Sequence, residues 1–151
     1  MAGVLSVEKP VMTSLKQDKF WAGGFLYNPK KNSVLLHKRD TNAEVNPNKW
    51  AFFGGLNEKG EMPKATFRRE FKEELNIDIK EEEIKPLCEY SNEEQRTYRY
   101  AFFAHSDLEK SEMQLGEGEG FDWIPLDKVF DYDLTEKTER DLKLFIRRVV
   151  K

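Results

Sequence analysis

The chain has few of the residues that staple, anchor or arm a protein. One of its 151 residues is a cysteine, Cys88. No internal disulfide can form and no second thiol stands at metal-ligand spacing, so a small buried hydrophobe in a reducing, cytoplasmic setting is expected. The two histidines, His37 and His105, have no obvious partners for nucleophilic chemistry and read as ordinary strand residues. No run approaches the roughly twenty apolar residues of a membrane span, and the first residues lack a basic region followed by an apolar core. Neither sign of charge dominates: 25 Lys and Arg stand against 28 Asp and Glu, net -3 at pH 7. That balance supplies no general attraction to a nucleic-acid polymer or an anionic membrane. Repeats, low-complexity tracts and long Gly/Ser linkers are also missing, so a single domain over 1–151 is expected, with 1–18 as a loose leader or extra edge strand.

What remains is a globular composition, 38% hydrophobic and 13% aromatic, with 35% charged residues for the surface. Strand-like runs at 20–27 and 33–38 flank Asn28-Pro29-Lys30-Lys31-Asn32, which has the Asn and Pro of a turn, and predict a hairpin. A polar loop, 39–49, leads to Trp50-Ala51-Phe52-Phe53 and then to Gly54-Gly55. Further strands are predicted at 84–90, 96–105 and 121–126, the second carrying Tyr98, Tyr100 and Phe102 on one face by period-two alternation. Residues 134–150 predict a closing helix with Leu142, Phe145, Ile146 and Val149 as its apolar stripe. Strands and helices mix as in a layered α/β or α+β domain.

The most charged part lies between Gly54 and Ile77. Pro63 suits a first helical position and Asn76 can take the left-handed conformation that closes a helix, which bounds a helix at about 63–75. On that helix Phe67, Phe71 and Leu75 form one stripe, and Glu70, Glu73 and Glu74 fall within an arc of about 100° beside it. One reading is a solvated face paired with Arg68, Arg69 and Lys72. The other starts from the repulsion of like charges at the edge of a packed face, which calls for a positive partner. A hard divalent cation such as Mg²⁺ fits, since it binds few carboxylates and accepts phosphate oxygens. The Gly-Gly turn before the helix offers a backbone carbonyl that no side chain shields.

These residues resemble the Nudix box, G-x5-E-x7-R-E-U-x-E-E-x-G-U with U a bulky apolar residue. Gly55, Glu61, Arg69, Glu70, Phe71, Glu73, Glu74 and Ile77 stand in register, and only Asn76 departs, in place of the last glycine. The resemblance implies an α/β/α sandwich with a mixed sheet between helices. It implies Mg²⁺ or Mn²⁺ held by Glu70, Glu73 and Glu74 with the Gly54 carbonyl, and Arg69 and Glu61 orienting the cluster. The implied reaction is metal-assisted hydrolysis of the diphosphate bond of a nucleoside diphosphate linked to another group. Relatives of this kind often take a further glutamate from a later loop as base, for which Glu117, ahead of Glu119, is the candidate.

For the substrate, Arg39 can meet a phosphate, and Phe53, Tyr90, Tyr98 or Tyr100 can stack on a base, although each aromatic suits a core better than a platform. Small nucleotides such as (d)NTPs are the expected substrates, then nucleotide sugars. An isopentenyl-diphosphate-isomerase-like enzyme, for which Cys88 is the lone support, and a non-catalytic Nudix-like sensor are the other readings. A monomer or a homodimer fits equally.

Overall fold

A computed structural model describes residues 19–94, 96–114 and 120–150. The segment 1–18 and the acidic loop with Glu117 and Glu119 lie outside the described residues. The elements run β1 Phe20–Asn28, β2 Ser33–Lys38, β3 Trp50–Ala51, β4 Phe53–Leu56, α1 Pro63–Leu75, β5 Lys85–Asn92, β6 Thr97–His105, β7 Gly120–Pro125 and α2 Glu136–Phe145.

β1 is the axis of the sheet. One edge pairs in parallel with β6 along its length, from Phe20↔Tyr98 to Tyr27↔His105, and β6 pairs antiparallel with β5. The other edge is shared. Trp21, Ala22, Gly23 and Gly24 pair with β4, while Leu26, Tyr27 and Asn28 pair with β2 in the expected hairpin. β2 goes on to pair with β3 and β7. The sheet therefore forks beside β1, and a cleft opens between the branches.

Alternation along β1 and β6 sends side chains to two layers. Phe20, Ala22, Leu26, Phe102 and Ala104 pack under α1, against Phe67, Phe71 and Leu75. Phe25, Tyr27, Ala101 and Phe103 pack with Leu142 and Phe145 of α2. Each fully buried Phe or Leu contributes about 1.5–3 kcal/mol, so these two stripes fix both helices on the sheet. The mixed sheet between helices is the α/β/α arrangement expected from the sequence.

α1 begins at Pro63 and ends at Leu75, capped by Asn76, whose φ of 56° and ψ of 40° are left-handed and whose N–H donates to the Lys72 carbonyl at 3.0 Å. Asn carries this conformation with less strain than other side-chain-bearing residues, which accounts for its standing where the box has glycine. α2 starts two residues later than expected, after Thr135, whose hydroxyl accepts from the Thr138 N–H. It ends at Phe145, and a wider turn over Ile146–Val150 rotates the stripe, leaving Val149 exposed instead of buried. Among the described residues no helix is long and apolar enough to cross a membrane.

Candidate functional site

Arg69 stands at the centre of the charged segment. Its Nε donates to Glu61 Oε2 at 2.6 Å and its Nη2 to Glu61 Oε1 at 3.2 Å, a two-pronged pair. Nη2 also donates to the Leu56 carbonyl at 3.0 Å, which ties α1 to the end of β4. Nη1 reaches Glu70 Oε2 and Glu73 Oε1, both at 3.2 Å. The side chains of Arg69 and Glu61 are only 19% and 17% exposed. Glu61 is further fixed by the Thr66 hydroxyl at 2.8 Å and the Glu58 N–H at 2.9 Å. The hydrogen bonds from Arg69 hold its carboxyl down at about 2, and Glu61 in turn raises the Arg69 guanidinium.

Glu70 sits differently. Burial pushes its carboxyl above the usual range, opposed by Arg69 and reinforced by Glu73. Its carboxylate lies against Gly55, where a Cβ would come within 2.6 Å of Oε2. That position in the box is glycine because the carboxylate occupies the space a side chain would need.

The cleft, about 1000 Å³, is bordered on one wall by Gly54, Gly55, Glu70 and Glu74. Arg39 borders it from the 39–49 loop. The Arg39 Nε is held by the Val45 carbonyl at 2.8 Å, and the loop is closed by Arg39 N–H to Lys49 O and Asn48 N–H to Arg39 O. Glu73 is 55% exposed, stays with Arg69 and does not border the cleft.

Among the described residues no three acidic, histidine or cysteine side chains converge as a ready-made metal cage. The donor set nonetheless fits a hard divalent cation of an open kind. Two carboxylates and the Gly54 backbone carbonyl provide oxygen only, and Mg²⁺ uses one or two carboxylates when phosphates and waters complete its shell.

Of the expected base-stacking aromatics, Phe53 is packed into the core at the cleft's edge and Tyr98 lies off the cleft. Phe53 borders the cleft, but it is 1% exposed, its ring packed between His37 and Phe71 at 4.9 Å from each. Tyr98 shares the face of Tyr100 and Phe102 on the α1 side of the sheet, where its hydroxyl donates to Glu89, and it does not border the cleft. Tyr90 is on the α2 side but its hydroxyl is spent on Asp141. Trp21 also borders the cleft, with Arg99 beside it on β6. Neither was singled out from the sequence. The signal was an arginine alternating with Tyr98 and Tyr100, which puts a cation on the same strand face as Ala101 and Phe103. His37 also borders the cleft; its Nε2 lies 3.0 Å from the Phe52 carbonyl and its Nδ1 is buried without a hydrogen-bond partner among the described residues.

The NUDIX domain family model matches residues 21–148. The chain is similar to the nucleoside triphosphatase NudI of Escherichia coli, 28% identical over 122 residues, covering 74% of this chain and 86% of that protein. In fold it is similar to a MutT protein from Methanosarcina mazei, with TM-score 0.69, 21% identity and 87% and 95% of the two chains covered. The NUDIX domain of Shewanella oneidensis NrtR, solved in complex with ADP ribose, is similar at TM-score 0.68 and 19% identity over 87% of this chain and 86% of that one.

Proposed function

This chain belongs to the NUDIX domain family and is a Nudix-type diphosphohydrolase, and we propose that its substrates are small nucleotides, (d)NTPs first among them, and its ion Mg²⁺. The observation that carries the reading is the sharing of one cleft by Glu70, Glu74 and the Gly54–Gly55 backbone on one side and Arg39 on another. The likeness to a nucleoside triphosphatase supports the choice of (d)NTPs over nucleotide sugars.

Glu70 and Glu74 with the Gly54 carbonyl, joined by Glu73, would hold Mg²⁺, or Mn²⁺ on the same donors, which when bound supplies a water of lowered pKa and neutralises phosphate charge. The chain's own residues prepare that place. Glu61 locks the Arg69 fork, and the locked fork holds Glu70 and Glu73 on adjacent turns against their mutual repulsion. Gly55 lets the Glu70 carboxylate close on β4. Arg39, whose Nε is anchored to its own loop, presents the rest of its guanidinium to a phosphate. Glu117 would accept the proton of the attacking water.

The isomerase alternative draws no support from Cys88. Its thiol is pushed up to about 12, mainly by burial, it points to Asp141 at 3.6 Å, and it lies off the cleft wall. The test is phosphate and pyrophosphate release from a panel of (d)NTPs, nucleotide sugars, dinucleoside polyphosphates, ADP-ribose and NADH, with Mg²⁺ and with EDTA. Mg²⁺-dependent turnover highest on (d)NTPs is expected. Highest turnover on nucleotide sugars, or no turnover of any of these by a protein that binds the metal, would overturn the substrate assignment.

A further inference from the structure

The wall of the cleft formed by Trp21 and Arg99 contains a donor that is fixed in place and paired with a carboxylate. The Arg99 guanidinium lies 4.1 Å above the Trp21 ring, with Phe52 and Tyr90 at 5.7 and 6.0 Å. Its Nε donates to Asp141 Oδ2 at 3.2 Å, and Nη2 is ion-paired with the same oxygen at 3.2 Å. Asp141, on α2, is 1% exposed and also accepts from the Tyr90 hydroxyl. Only 8% of the Arg99 side chain is exposed, and Arg99 borders the cleft. Nη1 has no hydrogen-bond partner among the described residues.

This arginine differs from Arg39, which has no carboxylate partner among the described residues and is suited to a phosphate. Asp141 cancels the charge of Arg99, so a phosphate gains little there, whereas an N–H held in one orientation reads a neutral acceptor well. A guanidinium has donors only. Guanine offers it O6 beside N7, and uracil or thymine O4; adenine keeps N7 but has an amino group in place of O6, and cytosine has one in place of O4, a donor facing a donor.

We propose that the Trp21–Arg99 wall seats the nucleobase and that Arg99 is a specificity-determining residue, selecting bases with a carbonyl at purine C6 or pyrimidine C4 (guanine, hypoxanthine, uracil, thymine) over adenine and cytosine, which have an amino group there. This deepens the nucleotide reading above and rests on it for the placement of the phosphates. A donor on the cleft wall discriminates when the wrong base covers it without accepting from it, leaving it unpaired and cut off from water.

The experiment is a metal-free titration of the protein with GMP, IMP, UMP, AMP, CMP and ribose 5-phosphate, following the Trp21 indole N–H by NMR, its signal identified with Trp21→Phe. GMP, IMP and UMP are expected to bind about tenfold or more tighter than AMP and CMP. In Arg99→Lys, which keeps the charge beside Asp141 but loses the planar fork, that ratio is expected to fall towards one. Should that variant fail to fold, the wild-type ranking decides alone. Equal binding of GMP and AMP, ribose 5-phosphate matching GMP, or an unchanged ratio in a folded Arg99→Lys would overturn the proposal. Binding is read without turnover. A protein that ranks the monophosphates in this order yet hydrolyses no nucleotide refutes the substrate assignment and keeps base selection; one that hydrolyses all (d)NTPs and binds all bases alike does the reverse.

Discussion

Replacing Glu61 by Gln keeps the shape of the side chain and removes the charge that holds Arg69. The pair is two-pronged, at 2.6 and 3.2 Å, and the Glu61 carboxyl is held at about 2 against an ordinary 4.5. Converted in full, that displacement is about 3 kcal/mol of stability. Both partners keep part of their surface in water, and Arg69 retains Glu70 and Glu73 after the change, so a loss of about 1–2 kcal/mol at pH 7 is expected. For a chain of this size that is about 3–6 °C in Tm. The sign follows from the lowered pKa. The unfolded chain takes up the proton first as pH falls, so the contribution is complete above about pH 4.5 and disappears on the way down to about 2. Urea unfolding of both proteins at intervals between pH 7 and pH 3 measures it. The gap between Glu61→Gln and the parent should narrow steadily below pH 4.5, while turnover at pH 7 drops about 10–100-fold because Arg69 no longer orients the carboxylates. A gap that stays constant across the whole range would refute the argument that the ionised Glu61–Arg69 pair stabilises this end of α1.

Other consequences are more local. In Gly55→Ala the new methyl meets the far end of Glu70, a flexible side chain that can move, so Tm should change little while turnover falls about 10–100-fold; a large Tm loss with intact turnover would show that the backbone yields instead. Asn76→Ala should cost about 1 kcal/mol in denaturant unfolding and Asn76→Gly should be neutral or mildly stabilising, because the position is left-handed; equal losses in both would mean the Asn side chain has a separate role. His37 is pushed down to about 4 from 6.5, chiefly by burial, so the unfolded chain binds its proton first and stability should decline as pH falls from about 6.5 to about 4, by up to about 3 kcal/mol. His37→Phe should remove that slope, and parallel pH profiles would contradict the assignment.

The elements were legible in the sequence where one local signal decided them. Pro63 and Asn76 bracket α1 at the observed residues, and the Asn-Pro turn between β1 and β2 announces the hairpin. The charged residues of the box converge because the α-helical period and one salt-bridged hub bring them together. What sequence reasoning could not reach is set by pairing between distant segments. Alternation in β6 says that Tyr98, Tyr100 and Phe102 share a face, but not that this face lies under α1 and that Arg99 on the opposite face borders the cleft. That depends on the parallel register of β1 with β6, which no turn specifies. For Phe53 the sequence left both a base platform and a core place open, with the core favoured, and the fork of the sheet turns its ring into the core against Phe71.

The most direct test is steady-state hydrolysis of a (d)NTP by the parent protein and by Glu70→Gln and Glu74→Gln, each with Mg²⁺ and with EDTA. The two carboxylates on the cleft wall should prove indispensable: turnover in the parent abolished by EDTA, and reduced by orders of magnitude in either variant with the fold intact by circular dichroism. Parent turnover that persists in EDTA, or full activity in both folded variants, would return Glu70 and Glu74 to the role of solvated helix charges and contradict the account.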